Sequence, residues 1–263
     1  MTGAQAIRYF VLFFLILPSP AVAGSFKAVP VRLFFDVGTK ATVLRVTNEG
    51  GEKVTVQLDA REWRQDESGE DVYEETRDIV FFPKMADIDK GEERIIRVGY
   101  QGQRALSSEK TYRLFLQELP VTRPGEMALK FALRMGIPIF IKPQKENIEW
   151  TIGGVGLSEG SLSVRVRNSG NSHFIVGKIS ATGIDDSGKA VFSREMRGWY
   201  ALAGASKPFA MAVSREECMD AKAIKVAVEV EKAGKEATLA VVKSMCAMKQ
   251  EGSKDVGKEV IQR

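Results

Sequence analysis

Apolar and polar residues alternate with a period of two along most of the chain, and long stretches with a helical period are scarce. Val54, Val56 and Leu58, for example, are separated by single polar residues. Turn-forming clusters end such runs, among them Asn48-Glu49-Gly50-Gly51 and Asp66-Glu67-Ser68-Gly69. Many short strands separated by turn residues indicate an all-β fold of the sandwich type.

The pattern occurs twice, on either side of a polar break at residues 143–147. We therefore predict two immunoglobulin-like β-sandwich domains in series, at residues 24–143 and 148–249. Residues 250–263 form a charged tail without aromatic residues, which predicts a frayed end.

The first 23 residues have the pattern of a secretory signal peptide. Arg8 supplies a positive charge, residues 9–17 are almost entirely apolar, and Ala21-Val22-Ala23 fits a signal peptidase site. The apolar run is shorter than the ~20 residues that span a bilayer. An N-terminal membrane anchor is the alternative. No later run is long enough to span a membrane, so we predict an exported mature chain, beginning near Gly24, that is not inserted in the membrane.

Charge and cysteine content restrict the possible chemistry. The formal net charge is +4, and the basic residues are interspersed with acidic ones, which argues against a nucleic-acid-binding surface. In an oxidising compartment, the two cysteines, Cys218 and Cys246, are expected to form a disulfide. Two cysteines and one histidine do not complete a zinc site, so we predict no metal and no other cofactor.

Two patterns are typical of other chemistry. Residues 156–160 match the G-x-S-x-G pattern of serine hydrolases, with Ser158 as nucleophile and His173 as the single histidine. That motif requires a strand-to-helix turn, so a β-turn is the favoured interpretation, and His173 is expected to be solvated or at a strand edge. The acidic run of residues 67–75 does not have EF-hand spacing and fits a solvated hairpin.

A stripe near the end of the first half has large apolar residues at every second position. Taken alone, this pattern fits a core-facing strand, and a strand displayed to a partner is the alternative. We call it the donor stripe; it comprises Met127, Leu129, Phe131, Leu133 and Met135.

Several segments, in this order, resemble the PapD-like periplasmic chaperones of pilus assembly. They are Val31-Arg32-Leu33-Phe34-Phe35-Asp36, Val46-Thr47-Asn48, Phe82-Pro83, residues 88–98, Tyr112-Arg113-Leu114-Phe115-Leu116-Gln117-Glu118-Leu119-Pro120, and Ile139-Phe140-Ile141-Lys142-Pro143. The resemblance covers residues 29–143 well and the second half only in its strand pattern and in Asn168 with its turn.

This resemblance implies two sandwiches in an L shape and a non-enzymatic function. Such chaperones work in the periplasm, where they lend a strand to pilus or fimbrial subunits and deliver them to an outer-membrane usher. It implies that the donor stripe enters the subunit, which reverses the interpretation from periodicity alone. A free chaperone with such a strand also has a tendency to self-associate.

The resemblance also implies two charged sites. A pair of basic residues grips the carboxylate at the subunit's C-terminus; Arg32 matches one of them, but Pro138 stands where the family has lysine. We expect Arg134 to replace that lysine. Glu109 and Lys142 match members of the family's inter-domain ion-pair network. The alternative function is a secreted immunoglobulin-like adhesion or binding module without chaperone activity.

Overall fold

The computed structural model describes residues 26–119, 132–231 and 233–247, and almost all of its regular structure is β-strand. The predicted signal peptide, the charged tail, and the donor-stripe residues Met127, Leu129 and Phe131 lie outside the described residues. Within the described part, no helix is long and apolar enough to cross a membrane.

The first sandwich consists of a four-stranded and a six-stranded sheet, with strand orders β1-β3-β8-β6 and β2-β10-β9-β4-β5, where β7 also pairs with β4. Its strands are β1 (Phe26–Val29), β2 (Leu33–Phe35), β3 (Ala41–Asn48), β4 (Val54–Gln65), β5 (Asp71–Glu75), β6 (Ile79–Phe82), β7 (Met85–Ile88), β8 (Glu93–Tyr100), β9 (Lys110–Leu119) and β10 (Arg134–Ile141). Inward-facing residues of both sheets, such as Leu44, Val56 and Leu114, form one core.

The second sandwich consists of a three-stranded and a five-stranded sheet, ordered β11-β12-β16 and β14-β13-β17-β18, where β15 pairs with β13. Its elements are β11 (Trp150–Ser158), β12 (Ser161–Asn168), β13 (Phe174–Ile184), β14 (Ala190–Arg197), β15 (Tyr200–Ala201), β16 (Ser206–Ala212), α1 (Arg215–Asp220), β17 (Ala223–Val230), β18 (Ala233–Ala240) and a 3-10 turn, Lys243–Cys246. The predicted all-β fold of two sandwiches is confirmed.

The predicted disulfide is present in the second sandwich. Cys218 on α1 is bonded to Cys246 on the 3-10 turn, and both residues are buried. The bond joins the short helix to the end of the described chain, so it links two elements that are 28 residues apart in sequence.

Each sandwich contains a fully buried asparagine at the end of an early strand. Asn48 donates from Nδ2 to the carbonyls of Glu52 and Ile88, at 2.8 and 2.9 Å. Asn168 donates from Nδ2 to the carbonyls of Ser172 and Ala201, at 2.9 and 3.0 Å. Each side-chain carbonyl also accepts from the glycine N–H two residues on. One side chain therefore satisfies three backbone groups in each turn, where unpaired buried groups would be costly.

The G-x-S-x-G pattern lies in a hairpin, as expected. Ser158 ends β11 and pairs with Ser161, and the two residues between them, Glu159 and Gly160, both have positive φ (50° and 75°). Two left-handed residues are typical of the tight turn that joins antiparallel strands. Ser158 is therefore on a β-hairpin rather than on a strand-to-helix turn.

Candidate functional site

Strand β10 has one side that no described strand covers along most of its length. On one side it pairs with β9 through residues 134–141. On the other side, β2 pairs with it in parallel, but only from Ile139 to Ile141. The uncovered side of residues 134–138, which we call the open edge, is a ready template for the addition of another strand.

Two backbone hydrogen bonds show which groups point to the open edge. The N–H of Lys142 donates to the carbonyl of Phe35 at 2.8 Å, on the β2 side, whereas the carbonyl of Leu133 accepts from Glu118 N–H at 2.9 Å, on the β9 side. The N–H and C=O of one residue point the same way and alternate along a strand, and the pairing with β9 has no bulge. Even-numbered residues of β10 therefore direct their backbone groups toward the open edge.

The two described residues of the donor stripe pack inside the first sandwich. Leu133 and Met135 are half-buried and lie against its core. They point to the same face as the buried residues Ile137 and Ile139, since alternate residues of a strand share a face. The two described residues of the donor stripe therefore belong to the apolar inner row of β10.

The two predicted anchor arginines lie at opposite ends of the open edge. Leu33 is aligned with Ile139, so Arg32, one residue earlier, lies at the level of Pro138. Arg32 is exposed and forms no ion pair or hydrogen bond with the described residues. Arg134 lies four residues before Pro138, about 13 Å along the strand. Its guanidinium covers the ring of Phe115, with 4.1 Å to the centroid.

A third arginine, Arg113, was missed by the sequence analysis. It is aligned with Pro138 across β9 and β10, on the same outer face of the sheet, and is 9% exposed. Its guanidinium lies 4.0 Å from the ring centroid of Trp63, and Nη1 donates to the hydroxyl of Tyr73 at 2.9 Å. Among the described residues, no carboxylate is within ion-pair distance of it, and Nε has no partner. Stacking on the aromatic ring stabilises the buried cation.

The surroundings of Arg113 explain both its position and the chemistry of Tyr73. A Cβ at Gly136 would lie 2.7 Å from Cδ of Arg113, so only glycine leaves room for this side chain. Burial raises the pKa of the Tyr73 hydroxyl, and the nearby positive charge of Arg113 opposes that shift. Tyr73 therefore stays neutral at physiological pH. The sequence contained one signal for this site. Apolar residues lie on both sides of Arg113 in its strand, which indicates that both faces of the strand are covered.

Glu109 and Lys142, the two predicted members of an inter-domain ion-pair network, do not pair with each other, and only Glu109 contacts the second sandwich. The buried carboxylate of Glu109 contacts Nδ1 of His173, from the second sandwich, at 2.8 and 2.9 Å, and accepts from the backbone N–H of His173 at 3.0 Å. Lys142 is 38% exposed and pairs with Glu146, four residues later, at 3.3 Å. A long lysine side chain remains hydrated here, whereas the rigid imidazole fits the enclosed carboxylate.

His173, which was expected to be solvated or at a strand edge, directly precedes β13 and is half-buried rather than solvated. Its ring stacks on that of Phe140, with centroids 3.6 Å apart and planes within 8°. Around this stack, the inter-domain cluster of Trp63, Phe140, Tyr200 and Leu202 joins the two sandwiches. The contact between Glu109 and His173 therefore lies at an apolar inter-domain junction.

The hairpin of β4 and β5 also contacts the second sandwich. Gln65 donates to the carbonyl of Tyr200 at 2.9 Å and accepts from the N–H of Leu202 at 3.0 Å. At the turn, the carbonyl of Gly69 accepts from the ammonium of Lys207, and Gly69 has φ of +84° and no space for a side chain. The acidic residues Glu67, Glu70, Glu74 and Glu75 are exposed, as predicted for a solvated hairpin face, while Gln65 and Gly69 of the same hairpin contact the second sandwich.

Comparisons with known proteins agree with this arrangement. Residues 25–147 match the family model described as "Pili and flagellar-assembly chaperone, PapD N-terminal domain". No curated protein sequence matches the chain.

Solved structures of pilus-assembly chaperones are similar to the chain over most of its length. One is the complex of the CsuC chaperone and the CsuE tip adhesion subunit from archaic Csu pili of Acinetobacter baumannii, with TM-score 0.57 and 20% identity, covering 82% of this chain and 98% of that one. Others are the CupB2 chaperone of Pseudomonas aeruginosa, with TM-score 0.52, 18% identity and coverage of 82% and 100%, and the SafA pilin–SafB chaperone complex of Salmonella enterica, with TM-score 0.51, 15% identity and coverage of 82% and 96%. At this level of identity the likeness shows a common fold.

Proposed function

We propose that this protein, which belongs to the PapD-like chaperone family, binds pilus or fimbrial subunits in the periplasm, stabilises them by donor-strand complementation and delivers them to an outer-membrane usher. The observation that carries the proposal is the open edge of β10 together with the apolar row that leads to it. A subunit that lacks one strand exposes unpaired backbone groups and an apolar groove. The open edge pairs with the former, and Leu129 and Phe131 of the donor stripe fill the latter.

The charges around the open edge favour a subunit whose chain ends there. Arg32 is exposed, has no carboxylate partner among the described residues, and lies where β2 closes the edge. An arginine binds a carboxylate through charge-assisted hydrogen bonds, which fix the position of the bound group. We assign Arg32 as the anchor of the subunit's C-terminal carboxylate, with Arg134 in reach of the same strand from the other end of the open edge.

Known chaperone complexes support the nature of the partner. The similar structures include a chaperone with a tip adhesion subunit and a chaperone with a pilin. The match extends over 98% of the matched chain in the first complex and 96% of the matched chain in the second. The edge used for strand addition lies in the segment that matches the PapD N-terminal domain model.

The test is to search the neighbouring genes for short secreted subunits and to co-express these subunits with this protein. We expect a stable one-to-one periplasmic complex and loss of the complex with Phe131→Asp, because a carboxylate cannot enter an apolar groove without a large desolvation penalty. Phe82→Asp is the matched control, since Phe82 is 72% exposed on the opposite sheet and its change should leave the complex intact.

Two results would contradict the proposal. One is a subunit that is equally soluble and protease-resistant without this protein. The other is a complex that survives Phe131→Asp as well as it survives Phe82→Asp, which would favour an adhesion or binding module that uses a different surface.

A further inference from the structure

Gly136 leaves a gap on the outer face of the six-stranded sheet, directly beside the open edge. A Cβ at Gly136 would lie 2.7 Å from Cδ of Arg113 and 3.2 Å from Cε1 of Phe115. The gap is therefore bounded by the aliphatic part of one side chain and by the edge of an aromatic ring. The backbone groups of Gly136 point to the open edge, so a strand added there places one of its residues in line with Gly136.

The side chain of that aligned partner residue meets the gap. Aligned residues of neighbouring strands point to the same face of a sheet. Gly136 belongs to the outer face, because the next residue, Ile137, is buried in the core of the first sandwich. Since Gly136 has no side chain, the side chain of the partner residue has room to extend across it toward Phe115.

The guanidinium of Arg134 lies next to this gap. Arg134 is two residues before Gly136 on the same strand, so its side chain is on the same face. The side chain is exposed and its guanidinium covers the ring of Phe115, which is aligned with Gly136, so the positive charge lies at the level of the gap. Stacking uses the face of the guanidinium and leaves its N–H groups available to an acceptor. Within the described part of the chain, Arg134 has no carboxylate at ion-pair distance.

The charges around the gap favour an acidic residue in the added strand. Arg113, whose side chain borders the gap, is a second cation without a carboxylate partner among the described residues. Of the nearby carboxylates on this face, Asp59 is already paired with Arg61 at 2.7 Å, and Asp71 accepts from an indole N–H of the second sandwich at 3.2 Å. A lysine or arginine of the added strand would be repelled here, whereas a carboxylate would be attracted.

We propose that the added strand carries an aspartate or glutamate in line with Gly136, and that the side-chain carboxylate of this residue binds the guanidinium of Arg134. This inference rests on the proposed function, because it concerns the strand that the open edge receives. The acidic residue lies within that strand and is distinct from its C-terminal carboxylate. Arg134 is thereby a specificity-determining residue, which selects strands by a charge on their outward-facing side.

The test compares peptides that differ in one outward-facing residue. Each is an N-acetylated peptide of about eight alternating valine and threonine residues, with a free C-terminal carboxylate, in which one threonine is replaced by glutamate or by glutamine. The replacement is moved through the threonine positions in turn, so that one peptide of the series carries it in line with Gly136. Titration measures the affinity of each peptide. Hydrogen exchange of the Gly136 amide, followed by NMR, reports separately whether a strand has been added.

With the unaltered protein, we expect glutamate at one position to bind about fivefold more tightly than glutamine, as is typical of a partly exposed ion pair. In Arg134→Gln, this ratio of affinities should fall to about one. In Arg134→Lys, part of the preference should remain, because the charge is kept and the paired hydrogen bonds of the guanidinium are lost. Arg97→Gln is the matched control, since Arg97 is also exposed but belongs to the four-stranded sheet, and its change should leave the ratio unaltered.

The possible failures can be told apart. Slower exchange at Gly136, combined with equal affinities for glutamate and glutamine or with a preference that survives Arg134→Gln, would overturn this inference and leave strand addition intact. Tighter binding of tyrosine than of glutamate at the same position would also overturn it, because the gap would then receive an aromatic ring. Binding without slower exchange at Gly136, or no binding by any peptide, would contradict strand addition itself and, with it, the proposed function. Thermal unfolding of each variant identifies a loss of fold, and the comparison of glutamate with glutamine in the unaltered protein does not depend on any variant.

Discussion

The two sandwiches share a fold but treat the edges of their sheets differently. In the second sandwich, edge strand β14 carries Arg194, Glu195 and Arg197, and edge strand β16 contains Lys207 and Pro208. Charges and proline on an edge make the addition of further strands less favourable. In the first sandwich, the open edge of β10 keeps its backbone groups available at Arg134 and Gly136. Edge strands β14 and β16 of the second sandwich are therefore protected in this way, whereas residues 134–138 of β10 leave one side accessible despite Arg134 and Pro138.

This difference indicates a division of labour between the sandwiches. The first contains the open edge and the buried Arg113 on its six-stranded sheet, and the exposed Arg32 directly before β2. The second contributes the partners that hold this sheet in place, since His173 and Tyr200 pack against Phe140. The second sandwich thus supports a surface that the first one presents.

The largest effect is expected at the junction between the domains. Trp63→Ala removes the ring that packs against Tyr200, with centroids 5.3 Å apart, and against Arg113. Truncation of a buried aromatic residue destabilises a protein by about 3–5 kcal/mol, and the buried guanidinium would lose its stacking partner. Calorimetry should show two separate unfolding transitions in place of coupled unfolding.

Trp150→Ala is the matched variant for Trp63→Ala. Trp150 is buried within the second core, beside Phe174, and does not belong to the inter-domain cluster. It should lower the stability of the second sandwich without separating the domains. Equal effects of both tryptophan variants on domain coupling would show that the junction does not depend on Trp63.

The disulfide should contribute to the second sandwich only. Replacing Cys218 and Cys246 by serine opens a loop of 28 residues and is expected to cost roughly 3 kcal/mol, largely through the greater conformational freedom of the unfolded chain. The chain has no other cysteine, so the first sandwich has no comparable cross-link. Denaturant unfolding of the oxidised and the reduced protein measures the contribution of the disulfide to the free energy of unfolding. A loss of stability in the first sandwich would contradict the assignment.

The buried asparagines should have equal effects in the two sandwiches. Asn48→Ala and Asn168→Ala each remove three hydrogen bonds from the side chain to backbone groups of its turn, which should cost about 2 kcal/mol or more. Unfolding followed separately for each domain, through a tryptophan retained in that domain, would measure both values. A clearly smaller effect at one site would mean that water replaces the lost hydrogen bonds there.

The strands could be predicted because their signal is local, whereas the contacts between domains could not. Alternation and turn residues identified β3, β4 and β9, and the order of short motifs indicated the family. The contact of Glu109 with His173 spans 64 residues, and no local pattern distinguishes it from a contact with Lys142. The pairing of β2 depends on three residues only, which is too short for periodicity to define the open edge.

Arg113 shows a second reason why part of the site was missed. Its strand is apolar on both faces, which indicates burial but does not show which aromatic residues receive the guanidinium. Trp63 and Tyr73 come from β4 and β5, and Trp199 from the second sandwich. Only the tertiary arrangement brings these rings together, so neither the role of Arg113 as a buried cation nor its environment could be predicted.

The smallest effect concerns the helix that covers edge strand β14. Glu217 on α1 accepts from the N–H of Ser214 at 2.9 Å and pairs with Arg194 on β14. The bond from Ser214 N–H, together with Arg194, holds the pKa of Glu217 below its ordinary value, while partial burial opposes the shift. We expect Glu217→Gln to cost about 1 kcal/mol at pH 7, in the range measured for helix caps.

The pH dependence of this variant has a defined sign. Because the pKa of Glu217 is lower in the folded protein, its stabilising contribution is complete above the unfolded value near 4.5 and is lost as the pH falls through the folded value. The difference in stability between the unaltered protein and Glu217→Gln should therefore shrink between pH 5 and pH 3. Glu216→Gln is the control, since Glu216 makes no hydrogen bond or ion pair with the residues that the structure describes. A difference that stays constant with pH would show that the ionised carboxylate of Glu217 is not what ties α1 to the protected edge.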